Sequence, residues 1–198
     1  DNGKWLSNLG GDRLYWANFS KLGASVVIGE EITYLHSGLF CDDNLLESIT
    51  INCDLEFLGV GTFYNTPELN SVALNGSIEY IFGFTDVFND DFYTWLTPLE
   101  KEQIMYYGAF ESCVNLSEVL FVEGEELLTI GDKAFYRCTA LKSIKLPERT
   151  LSLGENCFDG SGLSDIDFGG VRTIAANAFG NTKSLSVLTI PASVTEIG

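Results

Sequence analysis

The chain is poor in several residue types, and each shortage closes a line of interpretation. It has a single histidine, His36. A Ser–His or Cys–His nucleophilic pair needs an imidazole as its base, so any such site would have to pass through that residue. Basic residues are few, 11 against 28 acids, which leaves a formal net charge of −17. Phosphate recognition needs clustered Lys and Arg, so neither nucleic acid nor an anionic membrane surface is expected as a partner. The acid excess by itself suits the solubility of an extended, surface-rich protein better than it designates a cationic partner. No apolar run approaches the ~18–20 residues of a membrane span. The five cysteines, Cys41, Cys53, Cys113, Cys138 and Cys157, include no C-x-x-C pair, so neither a zinc site nor a redox dithiol is indicated. Their odd number also fits a full disulfide framework poorly, and free buried thiols are expected. Proline occurs only 4 times, and Pro147 and Pro191 fall where strands should end.

What is abundant is phenylalanine, 14 copies in a chain that is 45% hydrophobic. Six good copies of one pattern align on Phe40, Phe63, Phe110, Phe135, Phe158 and Phe179, and Phe88 fits a degenerate copy. The spacings, with Phe88 included, are 23, 25, 22, 25, 23 and 21 residues. A fixed period of this size marks a solenoid. Five residues before each good Phe stands Leu35, Leu58, Met105, Ile130, Leu153 or Ile174. After it comes a leucine, then an alternating pair such as Ile49-x-Ile51, Val72-x-Leu74 or Ile144-x-Leu146. That alternation predicts a short strand with one buried face. A second short strand is expected near Ile32-x-x-Leu35, Ile78-x-x-Ile81 and Val194-x-x-Ile197. The Ala-Phe-x-x-Cys segment is too short for a long helix and predicts one helical turn or a tight loop with Phe pointing inward. A single copy cannot enclose its apolar residues, whereas stacked copies share one core.

The motif Ile130-Gly-x-x-Ala-Phe135-x-x-Cys138-x-x-Leu141-x-x-Ile144-x-Leu146-Pro147 resembles the BspA-like class of leucine-rich repeats, and Ile174 to Pro191 carries it again. The resemblance is specific from Gly108 to Gly198, weaker before it, and absent over Phe82 to Gln103. It implies a leucine-rich repeat solenoid, predominantly β with short helical or irregular turns, in a curved right-handed stack. It also implies a bacterial cell-surface or secreted protein used for adhesion or partner binding. No catalytic residue is implied.

Along the chain, residues 1–28 are expected to form an N-terminal cap and partial repeat, with Trp5 and Trp16 over the open end and Phe19 to Ile28 as the partial copy. Residues 29–198 form the solenoid, with a degenerate or inserted repeat at 82–105. Within it, Thr97-Pro98-x-Glu100 reads as a capping box that opens a helix toward Met105. Gly59-Val-Gly61 is not a dinucleotide fingerprint, because Tyr64 stands where its third Gly belongs. The pairs Asp42-Asp43 and Asp90-Asp91 lack the ligand spacing of an EF-hand loop, so no metal or cofactor is expected. The chain opens at Asp1 without a signal peptide, as a mature form would if the protein is exported. Pro191 to Gly198 reads as the start of another copy, so further copies are expected beyond it.

The expected function is a non-catalytic, extracellular or cell-surface scaffold that recognises a protein or glycan. The alternatives are a carbohydrate-active enzyme on a solenoid and a structural spacer in a larger surface protein. Carboxylates alone discriminate nothing in so acidic a chain. Asp165 and Asp167 share a strand face, but Lys145 holds the equivalent place one repeat earlier, and a cross-strand pair accounts for them. The binding candidates are aromatic. Tyr34, Phe57 and Tyr80 recur at intervals of 23 residues in the second strand and predict a ladder on one face. Its continuation, Thr129, Ser152, Thr173 and Glu196, is polar. Tyr93 and Trp95, in the irregular acidic and aromatic segment, complete the set.

Overall fold

The computed structural model describes residues 4–5, 13–14, 25–35, 37–82, 106–122 and 129–198, and for 4, 5, 13, 14, 34 and 56 the backbone alone. The strands are β1 (Lys4–Trp5), β2 (Arg13–Leu14), β3 (Ser25–Ile28), β4 (Tyr34–Leu35), β5 (Ser48–Ile51), β6 (Leu55–Leu58), β7 (Ser71–Leu74) and β8 (Ile78–Ile81). They continue as β9 (Glu118–Phe121), β10 (Thr129–Ile130), β11 (Ser143–Lys145), β12 (Ser152–Leu153), β13 (Asp165–Asp167), β14 (Thr173–Ile174) and β15 (Glu196–Ile197). Period-two alternation does what it predicts. In β5, Ile49 and Ile51 are buried, while Ser48 and Thr50 are half-buried on the outer side.

The chain is a parallel β-solenoid. The first strand of each coil joins one sheet in the order β1-β3-β5-β7-β9, and β11 pairs with β13 farther along. The second strands form another sheet, in the order β6-β8-β10-β12-β14-β15. In the N-terminal stretch, β1 lies beside β3 and β2 beside β4, so this region supplies a strand on each side of the coil. Trp16, Phe19 and the Trp5 side chain lie outside the described residues. Leu188-x-Ile190 is not a strand, and Ile190 stays exposed.

The third wall of each coil is a chain of tight turns, and no helix occurs among the described residues. In the Phe63 coil, Thr62 N–H donates to the Gly59 carbonyl and Tyr64 N–H to the Gly61 carbonyl. The intervening N–H groups reach the next coil: Phe63 donates to Ala109 at 2.7 Å, Phe110 to Ala134 at 2.8 Å and Phe135 to Cys157 at 2.7 Å. This wall is therefore hydrogen-bonded along the solenoid without being a sheet. It takes positive φ two residues after each Phe of the column and two before each except Phe110, as at Gly38 and Asp42, Gly61 and Asn65, and Asn177 and Asn181. Gly, Asn and Asp tolerate that region best, because other side chains press on the backbone there.

Inside the wall the Phe rings form a column. Phe40, Phe63, Phe110, Phe135, Phe158 and Phe179 stack in turn with centroids 5.3, 5.0, 5.1, 5.3 and 5.7 Å apart. The first five rings are at most 2% exposed. Strand spacing of ~4.8 Å sets this rise, and offset rings tolerate it.

The column passes directly from Phe63 to Phe110, and β7 pairs directly with β9. The expected degenerate copy at Phe88 therefore has no rung between them. Residues 83–105 are inserted within one coil, between β8 and the turn carrying Phe110. That segment, with Phe88, Tyr93, Trp95 and the expected helix from Thr97, lies outside the described residues.

A candidate binding surface

The rings outside the core gather where the inserted segment leaves the coil and where it returns. On the departure side, β6 and β8 are in parallel register, which places Phe57 opposite Tyr80. Beyond them the same position holds Thr129, Ser152, Thr173 and Glu196. The polar continuation of the ladder is thus as expected. Tyr34 lies in β4, in register with Arg13 of β2, and its side chain lies outside the described residues. Phe57 and Tyr80 are both half-buried, while Ile78 and Ile81 of the same strand are buried. Phe82, which the ladder spacing does not include, completes the group. Its ring stacks on Tyr80 at 5.6 Å and lies tilted against Phe57 at 5.4 Å.

On the return side, the chain re-enters at Tyr106, which is 54% exposed, and Tyr107, which is half-buried. Tyr107 stacks on Tyr64 of the preceding coil with centroids 3.7 Å apart and planes 14° off parallel. Burial first, then a hydrogen bond with Tyr107, pushes the Tyr64 phenol up to about 12, and the charges of Glu111 and Asp42 add to the effect. Backbone hydrogen bonds fix both acids beside Tyr64. Asp42 N–H donates to the Tyr64 carbonyl, and Asn65 N–H donates to the Glu111 carbonyl, each at 2.9 Å. The Asn65 amide also donates to the Asp42 carboxylate at 2.6 Å. The two sides meet at the backbone, where Ala109 N–H donates to the Phe82 carbonyl at 3.0 Å.

Glu111 is the one buried carboxylate of this corner other than Asp43, which caps the Leu45 and Leu46 N–H groups of its own coil. Glu111 accepts the Gly108 N–H at 3.1 Å, reaching back three residues as a capping glutamate does. Burial raises its carboxyl above the ordinary value, against the Gly108 hydrogen bond and the positive charges of Lys133 and Arg137. Gly108 does not share the positive φ of the other coils at its position. It is needed for another reason: a Cβ there would stand 1.9 Å from the Lys133 carbonyl oxygen. One coil farther on, the Arg137 guanidinium lies over the Tyr136 ring, 5.0 Å from its centroid.

The cysteines are structural. All five are free thiols. Cys113 and Cys138 share a register three residues after Phe, as expected, but they do more than fill space. Cys113 Sγ donates to the Phe63 carbonyl at 2.9 Å and Cys138 Sγ to the Phe110 carbonyl at 3.1 Å. Thr66 makes the same bond to Phe40 at 2.9 Å. At these three positions a small donor ties one coil to the last, whereas the equivalent Asp43 and Thr182 bond within their own coils and the Ser161 hydroxyl is buried without a hydrogen bond among the described residues. Burial pushes the Cys113 thiol up to about 12 and raises Cys138 as well, so neither supplies a thiolate nucleophile near neutral pH. Asp165 and Asp167 lie on the outer side of β13, and Lys145 stands directly opposite Asp167. His36 lies outside the described residues. Among the described residues, no three His, Cys, Asp or Glu side chains are arranged to hold a metal ion. Nor is any helix among them long and apolar enough to cross a membrane.

A family model of the BspA type leucine rich repeat region matches residues 16–93 and 102–198, with 6 copies. The chain belongs to the BspA-type leucine-rich repeat family. The gap between the two matched stretches falls inside the inserted segment. Two solved structures share the fold of this BspA-type chain. One is the T. pallidum leucine rich repeat protein, 18% identical with a TM-score of 0.63, aligned over 89% of this chain and 69% of that one. The other is a leucine rich cell surface protein from Faecalibacterium prausnitzii A2-165, 21% identical with a TM-score of 0.61. That alignment covers 88% of this chain but only 43% of the other, so the chain spans less than half of that relative. No curated protein matches the sequence.

Proposed function

We propose that this chain is a non-catalytic binding scaffold of a cell-surface or secreted protein, with an adhesive role toward a protein or glycan partner. The contact surface is the aromatic corner formed by Phe57, Tyr80, Phe82, Tyr64 and Tyr107. Tyr34, Tyr93 and Trp95 belong to the same proposed set. The observation that carries this reading is the placement of the rings. The core beneath them is already closed, with Ile81 and Phe63 each 0% exposed. The outer rings therefore add half-buried aromatic area at one corner rather than filling the interior. Clusters of this kind, more than evenly scattered apolar residues, mark contact surfaces, and Tyr and Phe combine large contact area with few rotatable bonds. The description of the F. prausnitzii relative as a cell surface protein supports the location.

The test is a binding screen on immobilised host glycoproteins and glycans, with Tyr34→Ala and Tyr80→Ala as variants. Each should weaken binding about tenfold, a loss of ~1.4 kcal/mol, and leave the melting temperature within a few degrees of wild type. Loss of folding in both variants would make the ladder part of the core. Turnover of a glycan substrate would replace the scaffold with an enzyme.

A further inference from the structure

We propose that the Tyr64–Tyr107 side of this corner binds the guanidinium or ammonium group of a cationic segment on a protein partner. The inference deepens the scaffold reading and rests on it. Three observations converge on this chemistry. First, the rings are stacked and half-buried, and a tyrosine face attracts a cation through its quadrupole. Second, Asp42 and Glu111 are held on the coils on either side of Tyr64 by the backbone bonds described above. Their charges add to the burial and the Tyr107 contact that raise the phenol. Third, the chain itself shows a cation on this column of side chains. Tyr136 follows Phe135 as Tyr64 follows Phe63, and the Arg137 guanidinium covers Tyr136. The residue after Tyr64 is Asn65, an amide engaged with Asp42. An arginine from a partner would complete at Tyr64 what Arg137 completes at Tyr136.

The neighbouring charges fix the boundary of the site. Lys133 and Arg137 act on Glu111 from the following coil. A cation is therefore favoured on the Asp42 side of the rings and opposed beyond Glu111. Cys41, next to Asp42, adds no charge, since burial and the Asp42 carboxylate push its thiol up to about 12. The whole-chain charge of −17 draws a cationic segment in from a distance. The planar guanidinium can stack on a ring and hydrogen-bond a carboxylate at once, so arginine should be preferred to lysine.

The experiment measures binding of four labelled peptides of equal length to the full chain at near-physiological salt. They alternate glycine with arginine, lysine, serine or glutamate. The arginine peptide should bind most tightly, and the serine and glutamate peptides should not bind. Tyr64→Leu, which leaves the charge unchanged, and Asp42→Asn should each weaken the arginine peptide about fivefold. Tyr64→Phe keeps the ring and should stay within about twofold of wild type. Glu148→Gln and Glu196→Gln change the charge by the same amount as Asp42→Asn but lie on other coils, and should leave binding unchanged. Equal losses in these two controls and in Asp42→Asn would reduce the effect to the diffuse acidity of the chain and overturn the site. Unaltered binding by Tyr64→Leu would do the same. If Tyr80→Ala abolishes partner binding while no cationic peptide binds, the cation site fails and the scaffold stands. If no probe and no partner binds, both fail.

Discussion

The coils on the two sides of the inserted segment share an interior and differ on the outside. From Phe40 to Phe158 the column of buried rings runs without a break. The outer position of the second strand, however, changes from Phe57 and Tyr80 to Thr129, Ser152, Thr173 and Glu196. In the later coils this position is polar, and the Thr129 and Ser152 hydroxyls lie 2.9 Å apart. On the turn wall the Tyr107 position likewise gives way to Asp132 and Glu155, with Asp132 accepting the Glu155 N–H, while the Tyr64 position keeps one ring, Tyr136 under Arg137, before Asp159, which accepts the Asn181 amide. The comparison shows what the repeat enforces. Inward positions must match from coil to coil, because each packs on its equivalent. Outward positions are free, so a cluster of large rings at one corner is not required by the repeat.

The largest expected effect tests the shared interior. Phe135→Ala removes a ring enclosed by neighbours above and below, and should cost ~3–5 kcal/mol in denaturant unfolding. Phe179→Ala should cost clearly less, because that ring is only half-buried and has Phe158 as its one column neighbour. Equal costs would mean that the column does not act as a stack.

A smaller effect separates a small donor from a small hydrophobe three residues after Phe. Cys113→Ser keeps a donor for the Phe63 carbonyl and should unfold within about 1 kcal/mol of wild type. Cys113→Val leaves that carbonyl without its side-chain donor and should cost roughly 1–3 kcal/mol more. If valine is tolerated as well as serine, the position asks only for volume. Neither Cys113 nor Cys138 should react with a thiol reagent in the native state, and all five thiols should react on unfolding.

The smallest effect concerns the corner itself. Burial holds the Glu111 carboxyl above its ordinary 4.5, so the folded chain binds this proton more readily than the unfolded chain. Stability from this group is therefore complete below the ordinary value and declines as pH rises through the raised one. Glu111→Gln keeps an oxygen for the Gly108 N–H and cannot ionise. Its melting temperature relative to wild type should rise as pH is taken from about 4 to about 8. A constant or falling difference would mean that Lys133 and Arg137 outweigh the burial.

Much of the fold was written in the order of residues. The Phe period and the alternating pairs determined a solenoid with short strands, because only stacking can enclose a face that one copy leaves open. The register of Phe57, Tyr80 and Thr129 followed from the spacing, because parallel strands of near-equal coils align like with like. The positive φ values were also foreshadowed, by Gly, Asn and Asp at fixed distances from Phe, although Lys133 and Arg137 hide the signal by adopting that conformation too. The spacing misled at Phe88, since an insertion of about one repeat length mimics a repeat. Only the direct stacking of Phe63 on Phe110 shows that no coil intervenes. The corner was legible in part. Tyr80 and Phe57 obey a period, but Phe82 joins them from the end of its strand, and Tyr64 meets Tyr107 across 43 positions of sequence from different places in their coils. Periodicity finds residues that recur at one position. A contact between unlike positions of neighbouring coils has no period, and the tertiary structure alone creates it.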